Sequence, residues 1–167
     1  MCKPRVAIIM GSDSDFNTMA PCVKFLKKYD VDVDVNVISA HRTPYEAERF
    51  ASSASENGFE LIIAAAGKAA HLPGVIAAFT TLPVIGVPIK ASTLDGLDAL
   101  LSIVQMPKGI PVATVAIDGA DNAAILAVQI LSLKHDYLKD RLKEFKQDMA
   151  REVGEKNRSI KLQAEQL

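Results

Sequence analysis

The chain has no tryptophan, and aromatic residues make up 5% of its 167 positions. A flavin carrier, which flanks its ring with aromatic side chains, is therefore not expected. The two cysteines, Cys2 and Cys22, are too few for a disulfide framework or a cysteine metal set. They read as a free N-terminal thiol and a helix-packed one. The histidines His41, His71 and His135 share no ligand spacing with one another or with either cysteine, so no metal site is expected. There is no Gly-x-Ser-x-Gly elbow for a hydrolytic triad. Gly67 and Gly74 lack the spacing of a dinucleotide fingerprint. No apolar run approaches the roughly 20 residues that span a bilayer. The start carries Lys3, Pro4 and Arg5 and then a strand-length apolar run, without a secretory pattern. A soluble, cytoplasmic protein is the expectation. The formal net charge is −1, so bulk electrostatics favours neither nucleic acid nor an anionic membrane. Any anion must be held locally.

What is present is a chain that is 49% hydrophobic, enough for a substantial single core. Short apolar runs at residues 6–10, 31–38, 61–65, 84–87 and 112–117 read as five strands. Helical patterns lie between them at 15–29, 44–56, 75–79, 94–105 and 120–133. Pro21 falls inside the first, so that helix must start late or bend. Thr43, Pro44 and Glu46 read as a capping box with proline at the first helical position. A charged amphipathic helix from Asp136 to about Glu155 closes the chain, with Leu138, Leu142, Phe145, Met149 and Val153 on one stripe. Strands alternating with helices imply a parallel sheet covered on both faces. Residues 1–156 form one domain in this reading, and 157–167 a flexible tail. No internal repeat or linker interrupts the pattern.

In such a sheet, ligands bind at the carboxyl ends of the strands. Three loops there carry chemistry. After the first strand come Gly11, Ser12, Asp13, Ser14 and Asp15, beside a helix N-terminus whose free N–H groups favour an anion. Asp15 would repel a phosphate and suits sugar hydroxyls instead. Ser14 or Asp13 acting simply as a helix cap is the plainer alternative. After the second strand come Ser39, Ala40, His41, Arg42, Thr43 and Pro44. His41 changes protonation near neutral pH, and Arg42 can hold a phosphate with fixed geometry. After the third strand a small-residue loop, Gly67 to Gly74, lets a planar ligand approach the backbone. His71 within it suits either a carboxylate contact or a structural role. Taken together, the loops offer phosphate donors, a sugar acceptor and a titratable group. They suit a small phosphorylated sugar or nucleotide and proton-transfer chemistry. A phospho-receiver would need an aspartate ending the third strand, where this chain has Ala64-Ala65-Ala66.

Five motifs in order carry a family resemblance over nearly the whole chain from Arg5. They are Gly11-Ser12-Asp13-Ser14-Asp15, Ser39-Ala40-His41-Arg42-Thr43-Pro44, Ala69-Ala70-His71-Leu72-Pro73-Gly74, Pro83-Val84-Ile85-Gly86-Val87-Pro88 and Ser102-Ile103-Val104-Gln105-Met106-Pro107. The sequence resembles the N5-carboxyaminoimidazole ribonucleotide mutases of purine (IMP) biosynthesis. The resemblance implies a flavodoxin-like three-layer α/β/α sandwich with a five-stranded parallel sheet and an extra C-terminal helix. It implies a homo-octamer without metal or organic cofactor. The implied reaction moves a carboxyl group, through carbon dioxide, from the exocyclic nitrogen to ring carbon 4. It implies that His41 is the general acid/base and that Ser12, Asp15 and Arg42 bind the ribonucleotide. Ser14, Ser39, Gly67, Ala69, His71 and Leu72 complete the candidate substrate-binding set. One departure stands out: Lys68 follows Gly67 where the family usually has a second glycine. A direct, carbon-dioxide-dependent aminoimidazole ribonucleotide carboxylase, which differs in this same loop, is the alternative.

Overall fold

The computed structural model describes residues 3–167; Cys2 lies outside them. Five strands form one parallel sheet: β1 (Arg5–Met10), β2 (Asp32–Val37), β3 (Leu61–Gly67), β4 (Val84–Ile89) and β5 (Ala113–Thr114). Their spatial order is β2-β1-β3-β4-β5. The order turns back between β1 and β3, so the loops leaving these two strands diverge and open a crevice above the sheet.

The apolar runs predict this layout because a parallel sheet buries both faces. In β1, Ile8 faces one layer and Ile9 the other, and both are fully buried. The first layer holds α1 (Phe16–Lys28), α5 (Ala120–Leu131) and α6 (Asp136–Ala164). It packs Met19, Cys22, Leu26 and Leu138 on Ile8 and Ile63. Ala120, Ala123, Ala124 and Ala127 let α5 lie close against its neighbours. The second layer holds α2 (Pro44–Ser53), α3 (Leu72–Phe79) and α4 (Leu97–Val104), with Ala47, Ala51, Ile76 and Ile103 against Ile9 and Ile62. Each such Ile or Leu contributes about 1.5–3 kcal/mol relative to exposure. A Cβ on Gly86 would lie 2.4 Å from Ile103 Cγ2, so glycine is what lets α4 settle directly on β4. This is the flavodoxin-like three-layer sandwich expected from the sequence.

Several boundaries differ from expectation for identifiable reasons. A 3-10 turn at Asp13–Asp15 precedes α1, which then starts at Phe16 and runs through Pro21. The carbonyl deprived of a partner by Pro21 belongs to Asn17, which is exposed. β2 alternates valine with Asp and Asn because it is an edge strand, half-buried on both faces. β5 shrinks to Ala113–Thr114: Pro111 precedes it, and Asp118 takes positive φ soon after. α6 runs to Ala164 rather than ending near Glu155, since no proline or glycine interrupts residues 156–164 and most of them are good helix formers. Its first half docks on α1. Phe145 meets Phe25 edge-on at 5.6 Å between ring centroids, and the Arg141 guanidinium donates to the Lys28 carbonyl at 2.7 Å.

Candidate active site

The carboxyl ends of β1 to β4 surround a cavity of about 590 Å³. Every site residue expected from the sequence lines it: Ser12, Ser14, Asp15, Ser39, His41, Arg42, Gly67, Ala69, His71 and Leu72. The three loops therefore converge, although their residues are up to sixty positions apart in the chain.

The β1 loop leaves the sheet at Gly11, whose N–H still bonds the Ala65 carbonyl at 3.0 Å. The following turn is capped by Ser12, not by Ser14 or Asp13: Ser12 Oγ accepts from the Ser14 amide at 3.4 Å. Ser14 carries one hydroxyl proton, with Ser12 Oγ at 2.9 Å and Asp15 Oδ1 at 3.3 Å as acceptors. Asp15 is 8% exposed and makes no ion pair among the described residues. Burial pushes its carboxyl above the ordinary carboxylate value, against the opposing hydrogen bonds from the Ser12 backbone and the Ser14 hydroxyl. Its remaining acceptor capacity faces the cavity, as a sugar-hydroxyl acceptor requires.

The β2 loop is a self-bonded turn. Thr43 was expected to cap α2, but its hydroxyl does not. Thr43 Oγ1 donates to the Ser39 carbonyl at 3.1 Å and accepts from the Ser39 amide at 3.0 Å. Closing the turn satisfies the hydroxyl twice, where a cap would satisfy it once. Glu46 pairs with Arg49 across one helical turn instead of completing a capping box. Ser39 Oγ accepts from the Arg42 amide at 3.2 Å and from Arg42 Nε at 3.4 Å, while Arg42 Nη2 donates to the Gly11 carbonyl at 3.2 Å. The guanidinium is thereby pinned between two loops, with further N–H groups left for an anion.

His41 and His71 meet from different loops. His41 Nε2 lies 2.7 Å from His71 Nδ1, and the rings stand nearly perpendicular at 89°. A hydrogen bond at that distance needs one protonated and one bare nitrogen. The pair is thus a ready donor–acceptor couple on an exposed edge. His71 sits directly before Leu72, the buried first residue of α3. In the same loop, a Cβ on Gly67 would come within 3.1 Å of the Ile89 carbonyl. Glycine at this position suits the close pairing of β3 with β4 and leaves the crevice floor open. Lys68 is exposed, lines the cavity, and has φ of +56°.

The sequence reading passed over the fourth wall, Ile89 at the end of β4 with Lys90 and Ala91 after it. The same strand-end rule applied there would have found it. The Lys90 amide donates to Asp118 Oδ1 at 2.8 Å, and Lys90 Nζ pairs with Asp95 at 3.2 Å. This clamp joins the β4 exit to the segment after β5.

With that geometry in view, the likeness to known proteins is extensive. Residues 5–152 match the family described as AIR carboxylase. The chain is 60% identical over 148 residues to the N5-carboxyaminoimidazole ribonucleotide mutase of Pyrococcus abyssi, covering 89% of this chain and 85% of that protein. It is 54% identical over 155 residues to the phosphoribosylaminoimidazole carboxylase of Candida glabrata, but that match spans 92% of this chain and 27% of the larger protein. The crystal structure of Treponema denticola PurE superimposes with a TM-score of 0.84 at 28% identity, over 92% of this chain and 96% of that one.

Proposed function

The chain belongs to the AIR carboxylase family, and from that premise we propose that it is an N5-carboxyaminoimidazole ribonucleotide mutase of purine biosynthesis. The observation that carries the reading is the convergence of Arg42, Asp15 and the His41–His71 pair on one cavity. Arg42 takes the phosphate, which needs a fixed cation. Asp15 accepts from the ribose hydroxyls, with Ser12, Ser14 and Ser39 completing the polar wall. The imidazole then lies over the floor formed by Gly67 and Ala69, within reach of His41.

Proton balance explains what the histidine does. The bond from the exocyclic nitrogen to the carboxyl carbon breaks, its electron pair stays on nitrogen, and carbon dioxide is released. That nitrogen takes up one proton. Ring carbon 4 next donates its electron pair to carbon dioxide, forming the new carbon–carbon bond and leaving carbon 4 tetrahedral. Loss of the carbon 4 proton restores the aromatic ring. One group that gives the first proton and takes the second ends as it began, and His41 is suited to that role. His71, as its hydrogen-bond partner, orients the ring. Holding carbon dioxide beside carbon 4 lets proximity replace concentration.

Kinship favours the mutase over the direct carboxylase, since the chain is 60% identical to a protein named as the mutase and 54% identical to one named as the carboxylase. The deciding experiment gives the purified protein N5-carboxyaminoimidazole ribonucleotide without bicarbonate and follows product absorbance. The expected result is turnover well above the spontaneous rate. Efficient use of aminoimidazole ribonucleotide with carbon dioxide, and not of the carboxyamino compound, would establish the carboxylase instead.

A cytoplasmic homo-octamer completes the proposal. Among the described residues no helix is long and apolar enough to cross a membrane. Leu97, Leu101 and Val104 form an apolar stripe along α4, each about half exposed, and Leu94 in the turn before it is more exposed still, which favours self-association. Light scattering coupled to gel filtration tests the octamer, with a mass eight times the 18.0 kDa chain expected.

A further inference from the structure

Lys68 is a cation that the proposed reaction has not used. It lines the cavity, and its backbone is left-handed, at φ +56°. L side chains adopt that conformation at a cost that glycine does not bear. A non-glycine residue held there within a functional cleft is a marker of function. Its charge is also free. The other lysine of the cavity, Lys90, pairs with Asp95 at 3.2 Å, whereas Lys68 has no carboxylate within ion-pair distance among the described residues.

The position of that free charge in the sheet is informative. Arg42 follows β2 and Lys68 follows β3, with β1 between them. Two inter-strand spacings separate their strands by about 10 Å. The cavity therefore presents a pinned guanidinium on one side and a flexible ammonium on the other, with the acceptor Asp15 on the loop between. A ligand with a phosphate at one end and a carboxylate at the other complements that order of charges.

We propose that Lys68 binds the carboxylate of the substrate and of the product, and so distinguishes carboxylated ribonucleotides from the decarboxylated one. This assignment rests on the mutase reading above. Its kinetic consequence has a definite sign. An ammonium favours the anionic carboxylate over neutral carbon dioxide, so it tightens ground-state binding without assisting decarboxylation. Loss of Lys68 should raise KM and leave kcat unchanged or slightly higher.

The test measures binding of aminoimidazole ribonucleotide and of its 4-carboxy derivative by titration calorimetry, to wild type, Lys68→Gly, Lys68→Met and Lys68→Arg. The glycine variant relieves the backbone, and the methionine variant keeps the bulk. Both should weaken the carboxylated ligand about tenfold and the decarboxylated ligand less than twofold, with Lys68→Arg near wild type. Equal weakening of both ligands, unchanged affinity for both, or a fall in kcat at constant KM would overturn the assignment while leaving the mutase reading intact. Wild-type protein that binds neither ribonucleotide would overturn both.

Discussion

Each end of the sheet carries a cavity with a histidine, a lysine and a carboxylate, yet only one of them has chemistry to spare. The cavity at the amino end is the larger, about 840 Å³, and includes Glu60, Lys134 and His135. There the charges are matched. Glu60 lies 3.0 Å from Lys134 Nζ and 3.0 Å from His135 Nε2. Lys3 pairs with Asp30 at 2.6 Å. At the carboxyl end Asp15 has hydroxyl and amide neighbours but no cation, His41 faces another histidine, and Lys68 faces no acid. The two carboxyls respond in opposite senses. Burial raises Asp15 above its ordinary value. Burial also raises Glu60, but hydrogen bonds from His135 and Lys134 outweigh it and hold that carboxyl below its ordinary value. Cavity size does not identify a site: the larger cavity holds its carboxylate in ion pairs, whereas the smaller one gathers a carboxyl and a lysine without ion-pair partners.

The comparison can be broken most severely at His41. His41→Asn should lower kcat by about 10²–10⁴, the usual scale of general acid–base catalysis, while ligand affinity stays within a few-fold. Steady-state kinetics with calorimetry would check this, and a fully active variant would remove His41 from the mechanism.

Next comes Asp15→Asn. It should weaken ribonucleotide binding by about 10–100-fold, since a charged acceptor is lost. Stability should move the other way. A carboxyl raised on folding favours the folded state below its unfolded value and loses that contribution as pH rises through the folded one. The Asn variant should therefore melt at or above wild type at neutral pH and lose that advantage in acid, as scanning calorimetry across pH would show.

Glu60→Gln probes the matched end. It should cost about 1 kcal/mol at pH 7, allowing for partial exposure, with kcat unchanged. A carboxyl lowered on folding stabilises above its unfolded value, and that contribution disappears as pH falls through the folded value. The gap between variant and wild type in urea unfolding should close in acid. A loss of turnover without a loss of stability would overturn the structural reading of this cavity.

Tyr137→Phe is the mildest change. Its hydroxyl donates to the Asp30 carbonyl at 3.3 Å, with the Tyr29 carbonyl at 3.5 Å, both long. Its removal should cost about 0.5 kcal/mol or less and leave kinetics untouched.

The misreadings share a physical pattern. Thr43 and Glu46 have the spacing of a capping box, but spacing cannot say that Ser39 offers the hydroxyl two partners. Residues 112–117 are apolar enough for a strand, yet the ladder at the sheet edge holds only Ala113–Thr114. Lys90 and Asp118, 28 positions apart, meet through a side chain and a backbone amide that no local pattern encodes. Periodicity reports which face of an element is apolar; it carries no information about which neighbour supplies a partner.

The sequence by itself determined the alternation of strands and helices, the burial of both sheet faces and the gathering of three polar loops at one edge. Those follow from short-range hydrophobic patterning and from the right-handed crossovers that patterning imposes. Tertiary structure alone decided that His41 would face His71, that Arg42 would be pinned to Gly11, and that Lys68 would stay free while Lys90 is paired. Each depends on strand order and register, which set distances between residues far apart in the chain. A change of one inter-strand spacing, nearly 5 Å, would separate the histidines beyond hydrogen-bonding reach.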